Sequence, residues 1–153
     1  MDISFANPLL FFCCRPRMPS KIKYLLYLDD DSDDHFIFSS IINENFPDVR
    51  LTLLDSCDKL MPYLMDMRIA FPDLIFLDMN IHGNQYFECL KELKNTKTVE
   101  NIPVIIYSTS DSQKQALQAL EVGAYKFVVK PFTFREAAEQ LINILTEFET
   151  IDK

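Results

Sequence analysis

The chain has 153 residues, 48% of them hydrophobic and 25% charged, and a formal net charge of -8. That length and balance describe one globular domain with a core large enough to stand without disulfide staples. The acidity argues against a nucleic-acid-binding surface, which needs a basic face, and the only two glycines, Gly83 and Gly123, exclude a P-loop and a GxGxxG dinucleotide fingerprint.

The four cysteines, Cys13, Cys14, Cys57 and Cys89, show no CxxC spacing. They imply thiols in a reducing, cytoplasmic compartment rather than a disulfide framework. His35 and His82 lie far apart with no Cys or Glu at ligand spacing, which argues against zinc. Residues 1–20 differ from the rest. The apolar stretch from Pro8 to Cys14 is too short to span a bilayer. It also lacks the flanks of a signal peptide. The vicinal pair Cys13 and Cys14 beside Arg15 is a weak acylation signal. The segment reads better as a flexible extension, or as the result of a start codon placed too early. Met18 opens a sensible domain beginning.

From there the elements alternate. Ile22 to Leu28 is an apolar run that reads as a buried strand. Ser32 to Phe46 carries Phe36, Ile37, Ile41 and Ile42 at helical spacing and stops before Pro47. Val49 to Leu54 is a second strand. Ser56 is placed to cap a helix with Leu60, Leu64 and Met67 on one stripe, and Pro62 inside it predicts a kink or a late start. Asp73 to Leu77 is a third strand, followed by a helix through Phe87, Leu90 and Leu93 to about Asn95. Pro103 to Tyr107 is a fourth strand. Ser110 with Gln113 offers a capping box for a helix that Gly123 closes. Tyr125 to Val129 is a fifth strand. Thr133 with Glu136 forms another capping box, opening a helix with Phe134, Ala137, Ala138, Leu141, Ile144, Leu145 and Phe148 on one stripe.

Five β-α units with continuously apolar strands imply a doubly wound α/β fold, a parallel sheet with helices on both faces. In such sheets the ligand site lies at the carboxyl ends of the strands. Strand one ends in Asp29, Asp30 and Asp31, strand three in Asp78, strand four in Ser108 and strand five in Lys130. Crowded carboxylates repel one another unless a cation compensates. Oxygen-only ligands suit Mg²⁺, which keeps positions open for a phosphate. A metal, a lysine and a hydroxyl beside one further carboxylate are the parts needed to move a phosphoryl group onto that carboxylate. Taken singly, each residue has a plainer reading. Asp33 and Asp34 are acids at a helix start, Asp78 serves equally as a turn residue, and Lys130 before Pro131 serves as a solvated charge. The combination on four strand ends carries the weight.

These residues resemble the bacterial two-component response-regulator receiver domain. The segments are "YLLYLDDD", "PDLIFLDMN", "PVIIYSTS" and "YKFVVKPF", in family order over roughly residues 20 to 150. The resemblance implies a flavodoxin-like five-stranded sheet of order 2-1-3-4-5 and a receiver domain over residues 21–150. It implies that Asp78 accepts the phosphate, that Asp30 binds Mg²⁺ directly and that Asp29 acts through a metal-bound water. Asn80 is expected to lend its backbone carbonyl, with a side chain that tunes phosphate lifetime. Ser108 and Lys130 are expected to engage the phosphoryl oxygens, Phe127 to swing inward on activation, and the bond to Pro131 to be cis.

Two departures stand in the loop after Asp78. His82 replaces the family's usual Pro, and Tyr86 replaces a Gly at a position often at positive φ. A reshaped loop with Gly83 under strain is expected. The chain ends soon after the fifth helix, so a stand-alone receiver is expected. Its phosphate would come from a sensor histidine kinase or a histidine phosphotransfer protein, and its output would be contact with a downstream protein. Two other readings stay open: a binding module of this fold that no longer uses phosphate, and a metal-dependent phosphohydrolase. The second lacks the general acid such enzymes place two residues after the nucleophile, where this chain has Asn80.

Overall fold

The computed structural model describes residues 21–81 and 85–150. Five strands alternate with five helices: β1 (Tyr24–Leu28), α1 (Ser32–Asn45), β2 (Arg50–Leu54), α2 (Cys57–Leu64), β3 (Leu74–Leu77), α3 (Tyr86–Asn95), β4 (Val104–Ser108), α4 (Gln113–Val122), β5 (Lys126–Val129) and α5 (Phe134–Thr150). The strands form one parallel sheet in the order β2-β1-β3-β4-β5. This is the expected doubly wound architecture.

The three central strands are buried along their whole length, and each side of the sheet has its own core. Alternation of side chains along a strand sorts them. Leu26, Leu28, Ile75, Leu77, Val104 and Ile106 face α2, α3 and α4. Leu25, Tyr27, Leu74, Phe76, Ile105 and Tyr107 face α1 and α5. The second core is aromatic at its centre. Tyr27 stacks on Phe38 at 4.2 Å, and Phe76 and Tyr107 meet Phe38 edge-on.

Several boundaries and caps differ from expectation. β3 begins at Leu74 because the Asp73 carboxylate turns to accept the Lys23 and Tyr24 amides at 2.7 and 2.9 Å. Asp31 caps α1, accepting from Asp33 N at 2.8 Å and Asp34 N at 3.4 Å. Helix α2 starts at once after Ser56, whose side chain makes no capping bond, and ends at Leu64 with Pro62 inside it. Met67 therefore falls beyond the helix and is fully exposed, whereas Leu60 and Leu64 are buried. The cap of α4 is Ser112, bonded to Gln115 N, rather than Ser110 with Gln113. Ser110 is occupied in the preceding turn, where its amide donates to Ser108 Oγ and its own Oγ accepts from Ser112 N.

Other expectations hold. Gly123 closes α4 at φ 114, and its amide reaches back to Leu120 O at 3.1 Å. The Glu136 amide donates to Thr133 Oγ1, whose hydroxyl donates to the Glu136 carboxylate at 2.9 Å. Ala137, Leu141, Ile144 and Leu145 form the buried stripe of α5, with Phe134 half-exposed at its start. The expectations for residues 1–20, for His82 and for Gly83 lie outside the described residues.

Candidate functional site

The cleft sits where β1 and β3 end side by side. Each strand runs into an aspartate whose amide continues the ladder: Asp29 N donates to Leu54 O at 3.0 Å, and Asp78 N to Leu28 O at 2.8 Å. Backbone pairing therefore fixes both Cα positions, and both side chains are buried. Asp30, next along, is exposed. One carboxylate oxygen from each of Asp29, Asp30 and Asp78 lies within 4.8 Å of the others.

Lys130 enters from β5. Its amide donates to Ser108 O at 2.7 Å, which continues the β4–β5 ladder and sets the start of the side chain. The buried ammonium lies 2.5 Å from Asp29 Oδ2, 2.7 Å from Asp34 Oδ2 and 3.0 Å from Asp78 Oδ1. An ammonium has three protons to donate. Two are committed to Asp29 and Asp34 as hydrogen bonds, while the approach to Asp78 Oδ1 is off the hydrogen-bonding direction. Asp78 Oδ1 is thus a buried carboxylate oxygen with no hydrogen-bond donor, whereas Oδ2 accepts the Asn80 amide at 2.8 Å.

Charge and burial act against each other here. Burial raises the Asp78 carboxyl above its ordinary value and the charge of Asp29 adds to this, while Lys130 pulls it back. For Lys130, burial alone would lower the ammonium, but the carboxylates of Asp29 and Asp78 outweigh it and hold it above its ordinary value. The Tyr27 hydroxyl donates to Asp29 Oδ2, and burial with the Asp29 charge keeps that phenol protonated. The Lys130 ammonium also lies over the rings of Tyr27 and Tyr107, at 5.8 and 5.7 Å.

Of the residues marked in the sequence, Asp29 and Asp78 meet Lys130 directly, and Asp30 brings a carboxylate oxygen within 4.8 Å of theirs. Ser108 is buried at the end of β4, its Oγ bonded to Ser110 N. The exposed Asn80 side chain donates to Thr109 Oγ1 at 3.2 Å, tying the loop after β3 to the loop after β4. Phe127 is half-buried against the core of the α2, α3 and α4 face. Asp34 is a correction, because it is a Lys130 partner and not merely a helix-start acid. As the third residue after the capping Asp31, it points back toward the N-terminal turn, and that direction was the available signal. Tyr27 and Tyr107 were read only as strand residues. Their ring edges gave no sign of polar work, since alternation places a side chain on a face but not at a height.

The chain matches the response regulator receiver domain family over residues 25–142. It belongs to that family. This receiver is 35% identical over 74 residues to the phosphate regulon transcriptional regulatory protein PhoB of Pseudomonas aeruginosa, covering 48% of this chain and 32% of that protein. It is 27% identical over 108 residues to the two-component response regulator ORR6 of Oryza sativa subsp. japonica, covering 71% of this chain and 62% of that protein. It thus spans about a third of the first relative and under two thirds of the second. Among solved structures, the Mn(2+)-bound form of response regulator Rcp1 superposes with TM-score 0.76 at 20% identity, covering 86% of this chain and 97% of that one. The phosphorylated cyanobacterial phytochrome response regulator RcpA gives 0.75 at 20% identity, covering 86% and 96%. These two likenesses speak to the fold.

One detail carried over from the resemblance does not hold in this receiver, and one departure from it takes a form that the structure explains. No peptide bond among the described residues is cis, so the bond to Pro131 is trans, the form that X–Pro bonds favour by about 0.5–1 kcal/mol. Tyr86 is not in a strained turn. It is the first residue of α3, buried, with its ring edge-on to Phe87. Helical backbone accepts a bulky residue without the penalty that positive φ imposes.

Proposed function

We propose that this receiver takes up a phosphoryl group on Asp78 from the phosphohistidine of a sensor histidine kinase or a histidine phosphotransfer protein, in the cytoplasm. The observation that carries this reading is Asp78 Oδ1: buried, without a hydrogen-bond donor, and 3.0 Å from the Lys130 ammonium. A carboxylate oxygen left that way has its lone pairs available for an incoming electrophile. Asp78 Oδ1 forms a bond to phosphorus as the phosphorus–nitrogen bond of the donor breaks, and the imidazole leaves with the bonding pair.

The donor set fits a hard divalent cation. It is oxygen-only, and two of its carboxylates, Asp29 and Asp78, share the buried Lys130 ammonium with Asp34. Asp29, Asp30, Asp78 and the backbone carbonyl of Asn80 are the residues that would hold Mg²⁺. When bound, the ion offsets charge on the phosphoryl oxygens. Lys130 donates to a phosphoryl oxygen with the proton now aimed loosely at Asp78. Ser108 turns its hydroxyl to another, giving up Ser110 N. Phe127, half-buried against the core of the α2, α3 and α4 face, is the side chain that follows this shift, and the surface of α4, β5 and α5 carries it to a downstream protein. The role is that of a phosphoacceptor rather than a turnover enzyme.

The test is metal dependence. With acetyl phosphate as donor, the protein is expected to gain one phosphate in Mg²⁺ and none after chelation. Equal uptake in both conditions would remove the metal from this account.

A further inference from the structure

Cys57 and Cys89 lie outside the acid cluster, on helices that pack against each other. Cys57 is the first residue of α2 and Cys89 lies in the first turns of α3. They meet over one carbonyl. Gln85 O accepts the Cys89 amide at 3.1 Å and lies 3.9 Å from Cys57 Sγ. The Cys57 sulfur therefore sits against the helical turn that carries Cys89. Both residues line a cavity of about 370 Å³ between α2 and α3 that opens to solvent. Cys89 is buried and Cys57 half-buried, so a small reagent entering the cavity meets Cys57 first.

We propose that Cys57 and Cys89 form a peroxide-reactive dithiol that closes to a disulfide joining α2 to α3. Cys57 sulfur attacks one oxygen of a hydroperoxide and the O–O bond breaks. With hydrogen peroxide this leaves Cys57 as a sulfenic acid and releases one water, the thiol proton going to the departing oxygen. Cys89 sulfur then attacks Cys57 sulfur, the S–O bond breaks, and the second water leaves with the Cys89 proton. The peroxide gains two electrons and each sulfur loses one.

The local chemistry assigns the two roles. The neighbouring Cys89 thiol holds Cys57 below its ordinary value, against burial and the charges of Asp58 and Glu92, and Cys57 is the more accessible of the two sulfurs, which suits it to attack first. The Cys57 sulfur and burial push Cys89 up, which suits it to the second, resolving step. Asp58, Glu88 and Glu92 also line the cavity, so a neutral oxidant is favoured over an anionic one. This reading needs no phosphoryl chemistry and stands or falls separately from it.

The reduced full-length chain is treated with one equivalent of hydrogen peroxide, quenched with an alkylating agent, digested without reductant and mapped by mass. The expected product is a Cys57 peptide joined to the Cys89 peptide, lighter than the two thiol peptides by two hydrogens. Dithiothreitol converts it back to the two thiol peptides, and it is absent in Cys57→Ser and Cys89→Ser. In Cys89→Ser, Cys57 is expected to stop at the sulfenic acid, trapped by dimedone. Free alkylated Cys57 and Cys89 after treatment would overturn the proposal, as would a Cys57 joined mainly to Cys13 or Cys14.

Discussion

At the scale of single residues, Asp78 and Lys130 have opposite effects on stability. Asp78 has a folded value above its ordinary one, set first by burial. A group raised in this way favours the fold fully below its unfolded value, and that benefit is lost as pH rises through the folded value. At neutral pH the ionised Asp78 therefore works against the fold. Asp78→Asn is expected to be more stable by about 1 kcal/mol at pH 7, or about 2–4 °C in Tm. The gain should vanish as the pH falls to 4. Thermal melts at the two pH values measure it, and a destabilised variant at pH 7 would contradict the burial argument. Lys130 is also raised, here by Asp29 and Asp78 against burial, so it stays charged throughout the neutral range. Lys130→Met removes the only buried cation among the described residues and leaves Asp29 and Asp78 uncompensated. A loss of about 3–5 kcal/mol is expected at pH 7, read by denaturant unfolding. It should shrink as the pH falls and Asp78, held above its ordinary value by burial, takes up its proton.

At the scale of elements, the sequence exposed the strands more fully than the caps. β1, β3 and β4 are buried on both faces, so their continuous apolar runs could be read without knowing their neighbours. The strand ends then placed Asp29, Asp78, Ser108 and Lys130 by topology alone. Caps depend on which of several nearby hydroxyls is already engaged. Ser110 was lost to the turn beside Ser108, and Ser112 took its place. Asp34 stayed hidden for a related reason, since its partner Lys130 comes from the far end of the chain. Gly123 was legible because closing a helix at positive φ favours one residue type. A Cβ there would stand 3.3 Å from Lys94 Cγ at a φ of 114. Gly123→Ala is expected to cost about 1–2 kcal/mol, measured by denaturant unfolding. A neutral substitution would show that the α4 terminus relaxes freely.

At the scale of the whole molecule, a chain of net charge -8 sets five of its aspartates in six positions, residues 29–34, at the carboxyl end of β1 and the start of α1. Mutual repulsion among these carboxylates works against the fold, and a cation bound between them would offset it. Mg²⁺ at ten times its Kd is expected to add about 1.4 kcal/mol, seen as a rise in Tm that KCl at equal ionic strength does not reproduce. The same concentration of charge explains the hydrophobic run that leads into it. A buried parallel strand is what fixes Asp29 beside Asp78 with no freedom to separate. No helix among the described residues is long and apolar enough to cross a membrane.

With Asp78 as the phosphoacceptor, phosphorylation is a single added mass, and intact mass reads it. The parent and Asp78→Asn are incubated side by side with Mg²⁺ and acetyl phosphate and weighed. One added phosphate on the parent and none on the variant is the predicted result. Equal phosphate on both would place the acceptor elsewhere and contradict the central claim.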